Sequence, residues 1–201
     1  MIIYRRDFDL IIWINGAFGS GKTQTAYELH RRLEHSFIFD PEKTGYFIRK
    51  NLPESSKVED FQDYPLWRNF TGSMLQHMAS TFDGIIIVPM TITNPSYYQE
   101  IMEQLDNVRV NHYIIYASKT ELLRRLQSRG TSEDSWAAQQ IDRCLAAFDQ
   151  DITETIIHNE DKSISWTVEE IARQSRLTLL PDTRSAWKKS MDRLLVKIKH
   201  R

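Results

Sequence analysis

The sequence predicts a three-layer α/β domain built on a five-stranded, mainly parallel sheet. Three observations carry this. Apolar runs of strand length alternate about five times with segments of helical periodicity, the pattern of a parallel sheet covered by helices on both faces. The runs are continuous rather than alternating, as strands buried on both sides are. A glycine-rich loop joins the first strand to the first helix. The length of 201 residues fits one such domain with a short appendage.

The elements follow in order. DLIIWIN (9–15) is a buried strand, and a helix follows from Lys22 to Glu34 with Ala26, Leu29 and Leu33 at helical spacing. SFIFD (36–40) is a second strand, stopped by Pro41. Residues 41–60 are polar and mixed, and read as a loop-rich excursion with one helical turn around Tyr46 to Arg49. Trp67, Phe70, Met74, Met78 and Phe82 mark a long amphipathic helix. DGIIIVPM (83–90) is the third strand, and Asn94-Pro95 opens a helix carrying Tyr98, Ile101, Met102 and Leu105. VNHYIIYA (110–117) is the fourth. Ser118-Lys119-Thr120-Glu121 matches a capping box for a helix with Leu122, Leu123 and Leu126, ended by Gly130. TSEDS (131–135) links it to a helix with Ala137, Ile141, Leu145 and Phe148. TETIIHN (153–159) is a fifth, weaker strand, Thr167-Val168-Glu169-Glu170 caps one more helix, and Pro181-Asp182 precedes a basic segment. Residues 1–182 thus form the domain and 183–201 a C-terminal helix.

Composition narrows the setting. At 41% hydrophobic and 26% charged residues, this is an ordinary soluble protein rather than a disordered or membrane-spanning one. Cys144 is the single cysteine and no Cys/His cluster has zinc-ligand spacing, so nothing demands an oxidising compartment and a cytoplasmic address is expected. The opening MIIYRRDFD lacks the profile of a signal or transit sequence. A net charge of −1 argues against nucleic acid as a partner, but the charge is uneven: Arg184 to Arg201 holds seven Lys/Arg and one Asp, leaving residues 1–183 at −7.

Gly16-Ala17-Phe18-Gly19-Ser20-Gly21-Lys22-Thr23 fits G-x-x-x-x-G-K-[ST], the loop that cradles nucleotide phosphates. Glycines let successive N–H groups turn inward, and the following helix adds its positive N-terminal end. Lys22 is expected to reach the β- and γ-phosphates of ATP, and the Thr23 hydroxyl to ligate Mg²⁺. At average glycine usage a random chain of this length shows the string roughly once in a hundred, and here it also sits between a strand and a helix.

Neither an Asn-Lys-x-Asp string nor an Asp-x-x-Gly after an apolar strand is present, which argues against a GTPase. The best apolar run, GIIIV, ends in Pro89-Met90-Thr91 rather than in an acid, unlike large motor ATPases. Small-molecule kinases often carry an Asp after their second strand. Asp40 stands there, to accept a substrate proton or hold a magnesium-bound water; its bland alternative is a turn former before Pro41. Glu42 and Lys43 read as solvated. Arg124, Arg125 and Arg129 lie where kinase arginines close over phosphates, Arg129 being the candidate and Arg124 a wet-face residue. The link that follows holds Glu133 and Asp134 and no arginine, which makes a poor lid. Trp67, Arg68, Met90, Thr91, Asn94, Tyr97 and Tyr98 gather near the second and third strand ends, where an acceptor base or sugar could stack; Trp67 in phase with Phe70 and Met74 is otherwise core. Cys144, His112 and His158 read as structural.

Six strings, IIWINGAFGSGKTQTAYELHRRL (11–33), FDPEKTG (39–45), DYPLWR (63–68), GIIIVPMTI (84–92), SWAAQQIDRC (135–144) and DRLLVKI (192–198), resemble the tunicamycin resistance proteins of bacilli and their relatives. The resemblance covers nearly the whole chain after residue 10; residues 1–9 lie outside it. It implies a P-loop kinase-like fold near the nucleotide and shikimate kinases, ATP binding, and protection against tunicamycin, a nucleoside antibiotic with a fatty acyl chain. That suggests a phosphotransferase using Lys22, Asp40 and Arg129, with Thr23 and Asp40 as metal ligands, or alternatively a protein that sequesters the drug. Two readings of the tail stand. Trp187, Met191, Leu194, Leu195 and Ile198 form an apolar stripe beside Lys188, Lys189, Arg193, Lys197 and Lys199, which suits an anionic membrane surface at the inner face of the membrane; or the stripe packs on the domain while the charges stay wet.

Overall fold

The computed structural model describes residues 10–132, 134–152 and 154–199, with the backbone alone at 198 and 199. The chain runs β1 (Leu10–Gly16), α1 (Lys22–Arg32), β2 (Ser36–Ile38), α2 (Pro41–Asn51), α3 (Pro65–Thr81), β3 (Ile85–Pro89), α4 (Pro95–Met102), β4 (Arg109–Tyr116), α5 (Lys119–Gln127), α6 (Trp136–Gln139), α7 (Ile141–Gln150), β5 (Thr155–His158), α8 (Ile164–Ser175) and α9 (Ala186–Lys199). The sheet order is β2-β3-β1-β4-β5 and every pairing is parallel.

Strand β1 lies in the middle and is wholly buried, so its residues serve both faces. Leu10, Ile12 and Ile14 pack with Ala26 and Leu29 of α1 and Val168 and Ile171 of α8. Ile11 and Trp13 face the other way, toward Trp67 and Leu75 of α3 and Ile101 of α4. A third cluster under α5 and α7 holds Leu122, Leu126, Ile141, Cys144 and Phe148, with the Cys144 thiol pushed upward in pKa by burial. These three layers match the predicted class, with β1 aiming its C-terminal end at the glycine loop.

Four local expectations are revised. The excursion at 41–60 contains a full helix, α2, because Asp40 caps it: Asp40 Oδ1 accepts from Glu42 N at 3.2 Å, and Pro41 takes the first turn, where no N–H is needed. The helix expected to start at Thr167 starts instead after Ser163, whose hydroxyl accepts from Trp166 N. The helix carrying Ala137 through Phe148 is broken at Gln140 into α6 and α7. The fifth strand was expected from Thr153, which lies outside the described residues, and is seen from Thr155.

Of the two readings of the tail, packing of the whole stripe on the domain is not what the structure shows. Asp192 and Val196 are the buried side chains of α9, whereas Trp187 is 72% exposed and Leu194 and Leu195 are about half exposed. Trp187, Met191 and Leu195 of the apolar stripe therefore face outward; Ile198 lies outside the described side chains. No helix among the described residues is long and apolar enough to cross a membrane.

Two outcomes follow from this packing. Trp67 is fully buried and its Nε1 donates to Pro41 O at 2.9 Å, so Trp67→Ala should cost about 3–5 kcal/mol in urea unfolding, by cavity formation and loss of the α2 anchor. His112 is sealed between Trp13 and Tyr98, and burial pushes its pKa down to about 3. A depressed histidine pKa means the unfolded chain binds the extra proton first, so stability should fall as pH drops from about 6.5 toward 3, and His112→Phe should flatten that slope in pH-dependent denaturation.

Candidate functional site

The loop from Gly16 to Thr23 leaves β1 and enters α1 in left-handed backbone turns. Gly16, Gly19 and Gly21 have φ of 147°, 87° and 100°. A Cβ on Gly16 would meet Ile115 O at 2.6 Å and one on Gly19 would meet Leu122 O at 2.8 Å, so neither position admits a side chain. Gly21 is the N-cap of α1 with no side-chain acceptor, which leaves the first amides of the helix directed at the loop.

Turning N–H groups toward an anion turns carbonyls away from it, and buried donors meet them. Thr91 Oγ1 donates to Gly16 O at 2.9 Å, while Asn15 Oδ1 accepts from Gly16 N and Ile92 N at 2.8 and 3.0 Å. On the far side Asn159 Nδ2 donates to Ser20 O at 2.9 Å. Arg125 reaches Ser20 O, Asn159 Oδ1, Asn159 O and Glu160 O at 2.8–3.3 Å, and its Nε is held by Glu121 Oε1 at 2.6 Å. Sequence reasoning missed Asn15 and Asn159, and grouped Arg125 with phosphate-closing arginines although it braces the loop. Only contacts across 34 to 139 residues reveal these roles.

A cavity of about 680 Å³ opens above the loop, within the range of small-molecule sites. Phe18, Gly19, Gly21, Lys22 and Thr23 form its floor, Glu42 and Tyr46 of α2 one side, and Leu126, Ser128, Arg129 and Thr131 another. Lys22 Nζ donates to Ala17 O at 3.3 Å and sits 5.4 Å from the Phe18 ring centroid. Burial pulls the Lys22 pKa down, Arg129 adds to this, and Glu42 and Asp40 oppose it. Glu42, half-buried rather than solvated as expected, has its carboxyl raised by burial, opposed by Lys22. Arg129 is lowered by burial and then by Arg125.

Of the candidate residues, Lys22, Thr23 and Arg129 thus share one cavity, and Glu42 joins them. Gly16, Ala17 and Ser20 lie beneath it. Asp40 is buried at the start of α2, not on the cavity wall. Arg124 pairs with Glu121 on the surface, as the wet-face reading has it. The expected acceptor cluster is committed to structure instead: Asn94 caps α4, Arg68 binds Glu100 and Gln62 O and lies over the Tyr97 ring, Tyr97 donates to Asp63, and Tyr98 packs edge-on against Trp13. None of these lines the cavity.

Among the described residues no group of three or more His, Cys, Asp or Glu could hold a metal by itself. Magnesium at a nucleotide site is commonly bound by one or two protein oxygen ligands together with nucleotide phosphates. Thr23 would be such a ligand.

A five-stranded parallel sheet in the order 2-3-1-4-5, with a glycine loop and its lysine after the central strand, defines a P-loop nucleotide-binding protein of kinase-like fold. Residues 11–150 match the AAA domain family. A tunicamycin resistance protein from Deinococcus radiodurans is 33% identical over 86% of this chain and 98% of its own, with a TM-score of 0.72. The chain belongs to the AAA domain family and to the tunicamycin resistance proteins. A sugar kinase from Janibacter (12% identical, 82% of this chain and 92% of that one, TM-score 0.58) and the shikimate kinase of Bacteroides thetaiotaomicron (17%, 84% and 99%, 0.57) share the fold. No curated protein matches by sequence.

Because Arg125 satisfies several carbonyls from a largely buried position, Arg125→Ala should destabilise the protein by about 2–3 kcal/mol and weaken nucleotide binding together, read by thermal unfolding and calorimetric titration.

Proposed function

We propose that this protein transfers the γ-phosphoryl group of ATP to a hydroxyl of tunicamycin or a related nucleoside antibiotic in the cytoplasm. The observation that carries the reading is the single cavity joining Lys22 and Thr23 to Arg129 and Glu42. ATP with Mg²⁺ supplies the transferred group and neutralises part of its charge. The loop amides and Lys22 grip the β- and γ-phosphates, and Thr23 ligates the metal. Arg129 stabilises charge that develops on the transferred group in a site partly shielded from water. The acceptor proton needs a carboxylate. The sequence pointed to Asp40, but Glu42 lines the cavity and its raised proton affinity suits a base. Asp40 then positions Glu42 through the cap on α2.

Incubating the protein with Mg-ATP and tunicamycin should give a drug product heavier by one phosphate in mass spectrometry. Lys22→Ala should abolish it, and Glu42→Gln should lower kcat by about 10²–10⁴ with ATP affinity retained. ATP binding with no phosphorylated product would sink the transferase reading.

The outward Trp187, Met191 and Leu195 beside Lys188 support a second reading, ATP-dependent sequestration of the drug at an anionic membrane surface. It requires stoichiometric protection, tighter drug binding with ATP, and liposome flotation lost on removing residues 184–201.

A further inference from the structure

Helix α9 is docked by polar contacts rather than by its apolar stripe. Glu28 of α1 is 1% exposed and is bracketed by Arg31 and Arg184. Arg184 also holds Asp182 at 2.9 Å and Asp192 at 2.8 Å. Gln24 Nε2 donates to Arg193 O at 2.9 Å, Arg193 reaches Ser165 Oγ, and Val196 is buried. Such directional pairs fix the rotation of a helix about its axis, which a narrow apolar stripe would not.

That rotation brings Leu194, Val196 and Lys197 onto the wall of the cavity that holds Lys22 and Thr23. The cations lining the cavity are then Lys22, Arg129 and Lys197. The link after α5 carries no Lys or Arg between Thr131 and Ser135, so it cannot bring further positive charge over a triphosphate. We infer that α9 is a wall of the nucleotide site and that Lys197 contacts the phosphates of a bound nucleoside triphosphate, an assignment resting on the reading of Gly16–Thr23 as an ATP loop. Nucleotide binding and tail docking are then coupled reciprocally: whatever the docked tail adds to ATP affinity, ATP returns to tail docking.

The test is calorimetric titration of the full chain with Mg-ATP, alongside tryptic digestion at Lys188 and Lys189. Lys197 is exposed, so its replacement leaves folding intact. Lys197→Ala should weaken ATP binding about ten-fold, the scale of one charge-assisted hydrogen bond, and Lys197→Arg should restore most of it. Glu28→Gln, which loosens the dock, should weaken binding several-fold, and saturating Mg-ATP should slow tail cleavage in the native chain but not in Lys22→Ala. Unchanged affinity in Lys197→Ala, or tighter binding on loosening the dock with faster tail cleavage under ATP, would overturn the assignment. Failure of the native chain to bind ATP at all would remove the loop reading and this inference with it.

Discussion

A phosphate loop can present its amides to an anion only if the carbonyls turned the other way find donors inside the protein. In this fold Thr91 and Lys22 meet the carbonyls of Gly16 and Ala17, and Arg125 with Asn159 meets that of Ser20. The braces come from the end of β3, from α5 and from the turn after β5, so three connections of the sheet converge beneath one loop. Sheet order, helix placement and the position of the cavity are all tied to that convergence.

Chemistry sits on top of this base in a graded way. Lys22 and Thr23 belong to the loop itself and are held by it. Glu42 depends on α2, which depends on the Asp40 cap and on Trp67 gripping Pro41 from below. Arg129 sits in the turn between the end of α5 at Gln127 and the left-handed Gly130. The acidic and basic groups facing one another across the cavity are therefore set by helix ends, where side-chain caps rather than core packing decide position.

Much of the fold was legible because continuous apolar strands and the glycine loop are local signals. All five strands, and the nucleotide loop, could be located from runs and spacing alone. α2 was not, since Asp-Pro after a strand reads equally as a stop and as a cap followed by a first turn. The orientation of α9 was not legible for a different reason: Trp187, Leu194 and Leu195 draw attention by hydrophobicity, but the contact between Arg184 and Glu28 that anchors the tail joins residues 156 apart. Asn15, Asn159 and Glu42 were passed over because nothing in a polar side chain's own neighbourhood announces what it will meet across the fold.

Placing the loop strand at the centre has a consequence for how the chain is made. β1 pairs with β3 and β4, which begin at residues 85 and 109, and the nearer strand β2 touches β3 instead. Synthesised from the N-terminus, LIIWING has no partner strand until some seventy further residues have emerged. Parallel pairing across such a span is slow to close and leaves an apolar edge open meanwhile. Of the described strands, the one that leads into the nucleotide loop thus waits across the longest stretch of chain for its first partner, and during that interval chaperones or aggregation would compete for it.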